Sequence, residues 1–310
     1  MVTRHASRAA ALLVLGLGLA LPGAAFADRQ RPPAPPAKAA CIAADAAFNQ
    51  ARFDGGAVTA CTTDDVCWRV DLATSAWTAA PPLPAIASRR PGQLDVDATG
   101  IKLCAPGAQT CDAVVLPDVD TKSSDTQITA LTNADQSLIA VMSGGGPVRV
   151  FDAKTRKQLY AAKPNRAGHD DIPIVQGFQF VGDALYVLSS ASPVSSSGRL
   201  YRARTGAFLL DIGKRGAMVD ELAPVQLDGD RYVFGTWMME SLVIADVKKG
   251  KVVKKIALGG DPMKPGGSLV LLAVTPDHKI VALGSDPSTF TLQVVDPDSG
   301  KRTAIKIPRC

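Results

Sequence analysis

The sequence is poor in the residues that most hydrolytic and metal-dependent sites use. It has three histidines among 310 residues, and its two glutamates are Glu221 and Glu240. It also lacks a Gly-x-Ser-x-Gly elbow, a Walker phosphate loop, a His-Glu-x-x-His motif and a Ser-x-Asp-x-Gly-x-x-Trp Asp-box. The chain therefore carries none of the common motifs by which hydrolases, nucleotide-binding proteins and zinc proteases are recognised. We therefore expect no cofactor and no bound metal.

Long apolar runs are also missing once the N-terminus is passed. The chain begins like a secretory signal peptide: Arg4 and Arg8 precede an apolar core at residues 10–21, and Ala25-Phe26-Ala27 supplies the small-x-small pattern. We expect cleavage between Ala27 and Asp28, and a retained N-terminal anchor is the alternative. No later run of 18 apolar residues occurs, so the sequence predicts a periplasmic or secreted chain without a membrane span.

Strong positive charge is absent as well. Loss of the two signal-peptide arginines lowers the formal net charge from +5 to +3, and no basic block is interleaved with aromatic residues. Nucleic acid is therefore not an expected partner. Residues 28–40 carry four prolines and no apolar periodicity, which predicts a disordered tether before a folded domain at 41–310.

What the chain does have is a repeat of short β-rich segments. In residues 231–262, two apolar runs, a Lys248-Lys249-Gly250 turn and an alternating run predict an antiparallel meander. Similar stretches recur about six times at intervals of ~45 residues, a period in the range of propeller blades. We label the four strands of each unit a to d. The sequence predicts an all-β propeller of six four-stranded blades, although five or seven also fit because strand d of the second unit is weak.

Two stretches carry a family resemblance. Residues 242–262, LVIADVKKGKVVKKIALGGDP, resemble a YVTN-type propeller repeat. Trp68-Arg-Val-Asp71, followed by Trp77 and Pro81-Pro82-Leu83-Pro84, is similar to a kelch repeat. The resemblance implies a propeller fold and assigns no functional residue.

Six cysteines lie in the exported part, where an oxidising compartment favours disulfides. Cys61 and Cys104 lie 43 positions apart and Cys67 and Cys111 lie 44 apart, so each pair occupies equivalent places in consecutive units. Residues opposed across a hairpin are close enough to bridge, which predicts Cys61–Cys67 and Cys104–Cys111. Cys41 and Cys310 flank the repeats and are predicted to join the two ends of a closed ring.

Alternating strand directions place the a–b and c–d turns on one face, here called the turn face. The b–c and d–a loops lie on the other, the loop face, where the longer and less regular segments fall. Variable loops on a rigid scaffold usually carry function. The sequence therefore predicts binding residues on the loop face, namely Arg89, Arg90, Arg166, His169, Asp170, Asp171, Lys214, Arg215, Trp237, Met238, Glu240 and Lys264.

Each of these sets also has a structural interpretation. His169 with Asp170 and Asp171 fits a divalent metal or an acid–base pair, or a solvated polar loop. The arginines and lysines fit an anionic ligand, or scattered solubilising charge. Trp237, Met238 and Glu240 fit a soft apolar contact, or ordinary packing.

These patterns favour an exported, monomeric binding or scaffold protein that presents its loop face to a protein, peptide or glycan. The alternative is a lactonase-like or metal-dependent hydrolase acting at the channel mouth. The sequence makes the non-enzymatic interpretation the preferred one and leaves the ligand open.

Overall fold

A computed structural model describes residues 41–43, 46–83, 92–104, 111–122, 127–163, 174–192, 195–212, 222–236, 241–259, 269–284 and 292–306. These residues form 23 β-strands within one compact body that covers residues 39–310. The described residues contain no helix suited to crossing a membrane. The architecture is all-β, as the sequence predicts.

The strands are grouped into successive antiparallel units. The first unit contains β1 (Phe48–Phe53), β2 (Ala57–Thr62), β3 (Cys67–Asp71) and β4 (Trp77–Ala80). The second contains β5 (Gln93–Asp97), β6 (Gly100–Cys104) and β7 (Cys111–Val114). The third contains β8 (Ile128–Thr132), β9 (Leu138–Ser143), β10 (Val148–Asp152) and β11 (Gln158–Ala162).

The remaining three units each form a four-stranded sheet in sequence order. The fourth contains β12 (Ile174–Val181), β13 (Ala184–Ser192), β14 (Ser195–Arg202) and β15 (Phe208–Asp211). The fifth contains β16 (Val225–Asp228), β17 (Arg231–Gly235), β18 (Ser241–Asp246) and β19 (Lys251–Ala257). The sixth contains β20 (Leu269–Val274), β21 (Ile280–Gly284), β22 (Leu292–Val295) and β23 (Arg302–Ile305). The predicted succession of short antiparallel strands in repeated units agrees with this order.

The fifth unit illustrates why such sequences form sheets. All six residues of β18 are buried, as expected for a central strand covered on both faces by β-branched and apolar side chains. The outer strand β19 alternates exposed and partly buried positions along most of its length and carries Lys251, Lys254 and Lys255. Lysines on an edge strand oppose pairing with other chains. The sequence thus encodes both the core and the protected edge.

Buried apolar clusters join the units face to face. Separate clusters join the second unit to the third, the third to the fourth, the fourth to the fifth and the fifth to the sixth. A further cluster packs the sixth unit against the first, with Leu283 and Leu292 meeting Val58 and Ile42. Of the clusters formed by the described residues, none joins the first unit to the second.

The second unit departs from the regular pattern. Its first strand β5 pairs antiparallel with β8 through Gln93–Leu131 and Leu94–Ala130, so the second and third units share one seven-stranded sheet. Gln136, in the a–b turn of the third unit, donates a hydrogen bond to the carbonyl of Cys104, at the b–c end of the second unit (3.0 Å). Ends that a regular propeller keeps on opposite faces therefore meet here. The second unit runs in the opposite direction to the third.

Aspartates at the c–d turns hold those turns together. The carboxylates of Asp71, Asp152, Asp246 and Asp296 each accept a hydrogen bond from the backbone N–H three residues later, at 2.7–2.9 Å. These and neighbouring donors lower the pKa of each aspartate, because a hydrogen-bonded carboxylate is favoured over the protonated acid. The repeated Asp in these turns therefore has a structural role.

One c–d turn locks two units together. The hydroxyl of Tyr160 on β11 donates a hydrogen bond to the Ala203 carbonyl of the next unit (2.7 Å). Its ring lies against Gly206, where φ is +71°, and a Cβ placed there would come within 2.4 Å of the ring. Glycine is required at this position both for the left-handed backbone and for the close approach.

Two predicted disulfides are confirmed. Cys61 bridges Cys67, and Cys104 bridges Cys111, in each case between directly opposed residues of strands b and c. Cys41 is also disulfide-bonded. Its predicted partner, Cys310, lies outside the described residues, so that pairing stays a prediction.

Candidate functional site

The binding residues predicted from the sequence all lie outside the described residues. They are Arg89, Arg90, Arg166, His169, Asp170, Asp171, Lys214, Arg215, Trp237, Met238, Glu240 and Lys264. Their roles stay predictions. Among the residues that are described, no group of three or more His, Cys, Asp or Glu side chains could hold a metal ion.

The described ends of these segments show how two of them are anchored. Thr236 and Ser241, which flank residues 237–240, are buried and hydrogen-bonded to each other through backbone and hydroxyl groups at 3.0 Å. Gly92, which ends the segment carrying Arg89 and Arg90, accepts a hydrogen bond from the Thr132 amide (2.8 Å) at the a–b end of the third unit. This contact places Gly92 beside the a–b end of the third unit, and the face on which Arg89 and Arg90 lie stays a prediction.

One cavity lined by described residues lies on the turn face. This groove, of about 520 Å³, separates the sixth unit from the first. Its apolar lining includes Leu72, Val294 and Ile305. The backbone of Gly55 and Gly56, in the a–b turn of the first unit, closes one side without adding side chains. Hereafter this cavity is called the seam groove.

The charged residues of the seam groove come from the sixth unit. Lys279 forms an ion pair with Asp277 (2.7 Å), and Asp277 also accepts a hydrogen bond from the Thr275 hydroxyl (2.5 Å). Asp296 accepts hydrogen bonds within its own turn, from the backbone amide and hydroxyl of Ser299 (both 2.7 Å). Lys301 lines the groove and is exposed, and it forms no ion pair with any residue that the structure describes. The groove therefore has two ammonium and two carboxylate groups beside an apolar lining, and among the described residues the Lys301 ammonium has no ion-pair partner.

The protonation states of this groove suit binding better than acid catalysis. The Lys279 ammonium and the Thr275 hydroxyl lower the pKa of Asp277 to about 2. The backbone amide of Ser299 lowers the pKa of Asp296. Both carboxylates are ionised at neutral pH and already hold donors, whereas a general acid needs a pKa near the working pH. The same Asp277 carboxylate raises the pKa of Lys279, so that ammonium stays charged.

The histidine of the turn face has a structural position. His278 lies in the a–b turn of the sixth unit and has a positive φ of 59°. Its Nδ1 lies 3.2 Å from the Leu227 carbonyl of the fifth unit. A ring nitrogen hydrogen-bonded to a neighbouring unit ties the two units together. This histidine does not line the seam groove.

Sequence reasoning missed the seam groove because its two walls are far apart in the chain. Leu72 and Ala73 precede Thr303 and Ile305 by more than 200 positions. The turns that form it are short and regular, and such turns were given no binding role. The sequence feature that could have indicated it is the repeat, because packing the last unit on the first creates an interface between segments that are distant in the chain.

Comparison with known proteins gives a resemblance of fold. BamB from Moraxella catarrhalis is 14% identical, covers 76% of this chain and 69% of its own, and has a TM-score of 0.39. The C-terminal WD40 domain of Sif2 is 11% identical, with 82% and 60% covered and a TM-score of 0.38. The WD40 β-propeller domain of Doa1 is 10% identical, with 85% and 83% covered and a TM-score of 0.42.

Two of these similar structures are described as WD40 domains, one of them as a β-propeller, and all three TM-scores are below 0.5. No family model matches it, and no curated protein matches it. The resemblance of single repeats to YVTN and kelch sequences therefore stays a prediction, as does the number of blades.

Proposed function

We propose that this chain is an exported, non-enzymatic binding protein on a closed six-bladed propeller, and that the seam groove receives an extended peptide segment of its partner. The observation that carries the proposal is the groove itself. Its volume of about 520 Å³ lies in the ~300–1,000 Å³ range of ligand sites. Its carboxylates hold donors of their own turns, and the Lys301 ammonium forms no ion pair with a described residue.

The lining indicates what kind of segment would fit. Leu72, Val294 and Ile305 favour aliphatic or aromatic side chains, whose burial is driven by the hydrophobic effect. Lys301 favours a carboxylate close by. An extended segment with a large apolar residue and an Asp or Glu near it satisfies both features. Recognition of this kind depends on a pre-formed shape, which packed sheets on both sides of the groove provide.

Peptide display on the exported chain tests this proposal. We expect selection to enrich acidic–apolar peptides that bind the wild-type protein and lose at least tenfold in affinity to Thr303→Trp, which fills the groove. Lys301→Gln should cost about threefold, as expected for a partly exposed ion pair. Leu159→Trp, at an exposed position of β11, is the matched control and should bind normally. Enriched peptides that bind Thr303→Trp as well as wild type would refute the proposal.

Closure of the ring is the structural part of the proposal. The cluster that packs the sixth unit on the first and the predicted Cys41–Cys310 bridge support it. No cluster of the described residues joins the first unit to the second, so closure also requires contacts at that junction. Small-angle scattering of the exported chain should give a radius of gyration near that of a compact body of this size, about 18–20 Å. A markedly larger radius would indicate an open arc.

Export is supported by the signal-peptide pattern and by the disulfides. Expression of the full chain in a bacterial host should yield periplasmic protein whose N-terminus is Asp28. Recovery of the uncleaved chain in the membrane fraction would support the retained anchor instead. The hydrolase alternative depends on His169, Asp170 and Asp171, which lie outside the described residues, so it stays a prediction.

A further inference from the structure

A second cavity, of about 350 Å³, lies between the third unit and the fourth, near the loop face. The sheet register places three of its residues on one surface. Gln93 is paired with Leu131, and Thr129 is paired with Met142, and residues 129 and 131 share a face because side chains alternate along a strand. The pairing of β5 with β8 therefore brings Gln93 into this cavity. In a regular propeller, the strands of neighbouring blades do not pair, and Gln93 would not be brought there by strand pairing.

The opposite wall comes from the start of β12. The register shift between Val175 and Gly177 makes Gln176 the extra residue of a bulge, and Gln176 is exposed while both neighbours are buried. Bulges commonly redirect a side chain toward a site. The Val175 amide donates to the Gly145 carbonyl (3.0 Å), which fixes this strand against the b–c loop of the third unit.

A third carboxamide completes the set. Gln127 lies just before β8, is exposed, and its carbonyl accepts a hydrogen bond from the Gly144 amide (3.1 Å). Gln93, Gln127 and Gln176 thus line one cavity together with the Thr129 hydroxyl and the Met142 thioether. None of the described residues that line it carries an ionisable side chain.

The chemistry of this lining is specific. Each carboxamide offers two N–H donors and a carbonyl acceptor, and the threonine hydroxyl does both. Such groups match a ligand that is itself rich in paired donors and acceptors, and a lining without charge gives no advantage to anions or cations. Met142 adds a polarisable apolar surface for C–H groups. The volume accommodates one or two sugar rings.

We propose that this carboxamide cavity binds a neutral, polyhydroxylated ligand, a mono- or disaccharide unit. The proposal concerns a different site from the seam groove and does not depend on it. The ligand's vicinal hydroxyls would pair with the Gln127 and Gln176 amides, and its apolar ring face would contact the Met142 side chain. Burial of hydroxyls against donors and acceptors of neutral character avoids the cost of desolvating a charge.

Methionine-methyl NMR tests the proposal directly. In ¹³C-methyl-methionine protein, Met142→Leu assigns the Met142 signal, and neutral sugars are then titrated: glucose, galactose, mannose, N-acetylglucosamine and their disaccharides. We expect at least one of them to produce a saturable Met142 shift at millimolar concentration. Gln127→Leu and Gln176→Leu should each weaken that binding about threefold to tenfold, the loss expected for one net hydrogen bond. Gln158→Leu, at an exposed position of β11, should leave it unchanged.

Three outcomes would overturn the inference. They are no saturable shift with any neutral sugar, a shift that both glutamine variants retain in full, and an equal response to triglycine, which would indicate a peptide site. Amide spectra of each variant show whether it is folded. Thr303→Trp should leave the Met142 response intact, so a failure of this proposal is distinguishable from a failure at the seam groove.

Discussion

Gly206 offers a sharp test of how neighbouring units are held together. It lies in the c–d turn of the fourth unit with φ +71°, and the Tyr160 ring of the third unit packs on its backbone. Gly250, in the c–d turn of the fifth unit, has a similar φ of +59°, but no atom lies within 4 Å of a Cβ placed there. Gly206→Ala and Gly250→Ala therefore introduce the same methyl group into similar backbones with different surroundings.

The two variants share one cost and differ in another. An L-residue in the left-handed region costs about 1–2 kcal/mol, and this applies to both. At Gly206, the new Cβ also lies 2.4–2.9 Å from three ring atoms of Tyr160, and overpacking of this kind costs about 1–3 kcal/mol. Displacing the ring also weakens the Tyr160–Ala203 hydrogen bond, worth about 1 kcal/mol. We expect Gly206→Ala to lose about 2–4 kcal/mol more than Gly250→Ala.

Thermal unfolding followed by circular dichroism measures the difference. For a domain of this size, each kcal/mol lowers Tm by roughly 2–4 °C, so the two variants should differ by roughly 4–16 °C. In a Tyr160→Leu background, the added cost of Gly206→Ala should shrink, because the clash with the ring is removed. Equal destabilisation by the two alanine variants, or an unchanged cost without the ring, would refute the reasoning.

Three further predictions follow from the turns and the cysteines. In carboxyl NMR, Asp277 should titrate near its lowered pKa of about 2. Because its native pKa lies below the unfolded value, its carboxylate stabilises the fold above about pH 4 and loses that contribution as the pH falls to about 2. Asp277→Asn should therefore lessen the loss of stability in that window, and a midpoint near 3.8 would contradict this. Replacing Cys61 and Cys67 together by alanine should cost on the order of 2 kcal/mol in urea unfolding, as expected for closing a short loop, and no change would contradict it. Non-reducing peptide mapping should join Cys41 to Cys310, and any other partner for Cys41 would refute the predicted clasp.

Much of the fold was predictable because each strand and turn is determined by residues that are close together in the sequence. Apolar alternation, broken by Asp and Gly turns, locates the strands of the first, third, fourth, fifth and sixth units. The carboxylates of Asp152 and Asp296 show why, since each binds the backbone of its own turn. The spacing of Cys61 and Cys104 predicted both hairpin bridges for the same reason: opposed residues of a hairpin are near in sequence and in space.

The candidate sites were less predictable because they depend on contacts between distant segments. Nothing around Gln93 indicates that it will pair beside Leu131, and without that pairing it would not meet Gln127. The seam groove requires that the last unit pack on the first. Local pattern also carries no information on strand direction, so the inversion of the second unit was not foreseen.

The inversion of the second unit makes one part of the molecule structurally different from the rest. A ring of like modules all running the same way presents nearly equivalent sectors, and a partner has little to distinguish one from another. Here one module is reversed and fused to its neighbour through β5 and β8. The surface around this junction therefore differs from the surface around the other units, which gives a partner a feature by which to distinguish it.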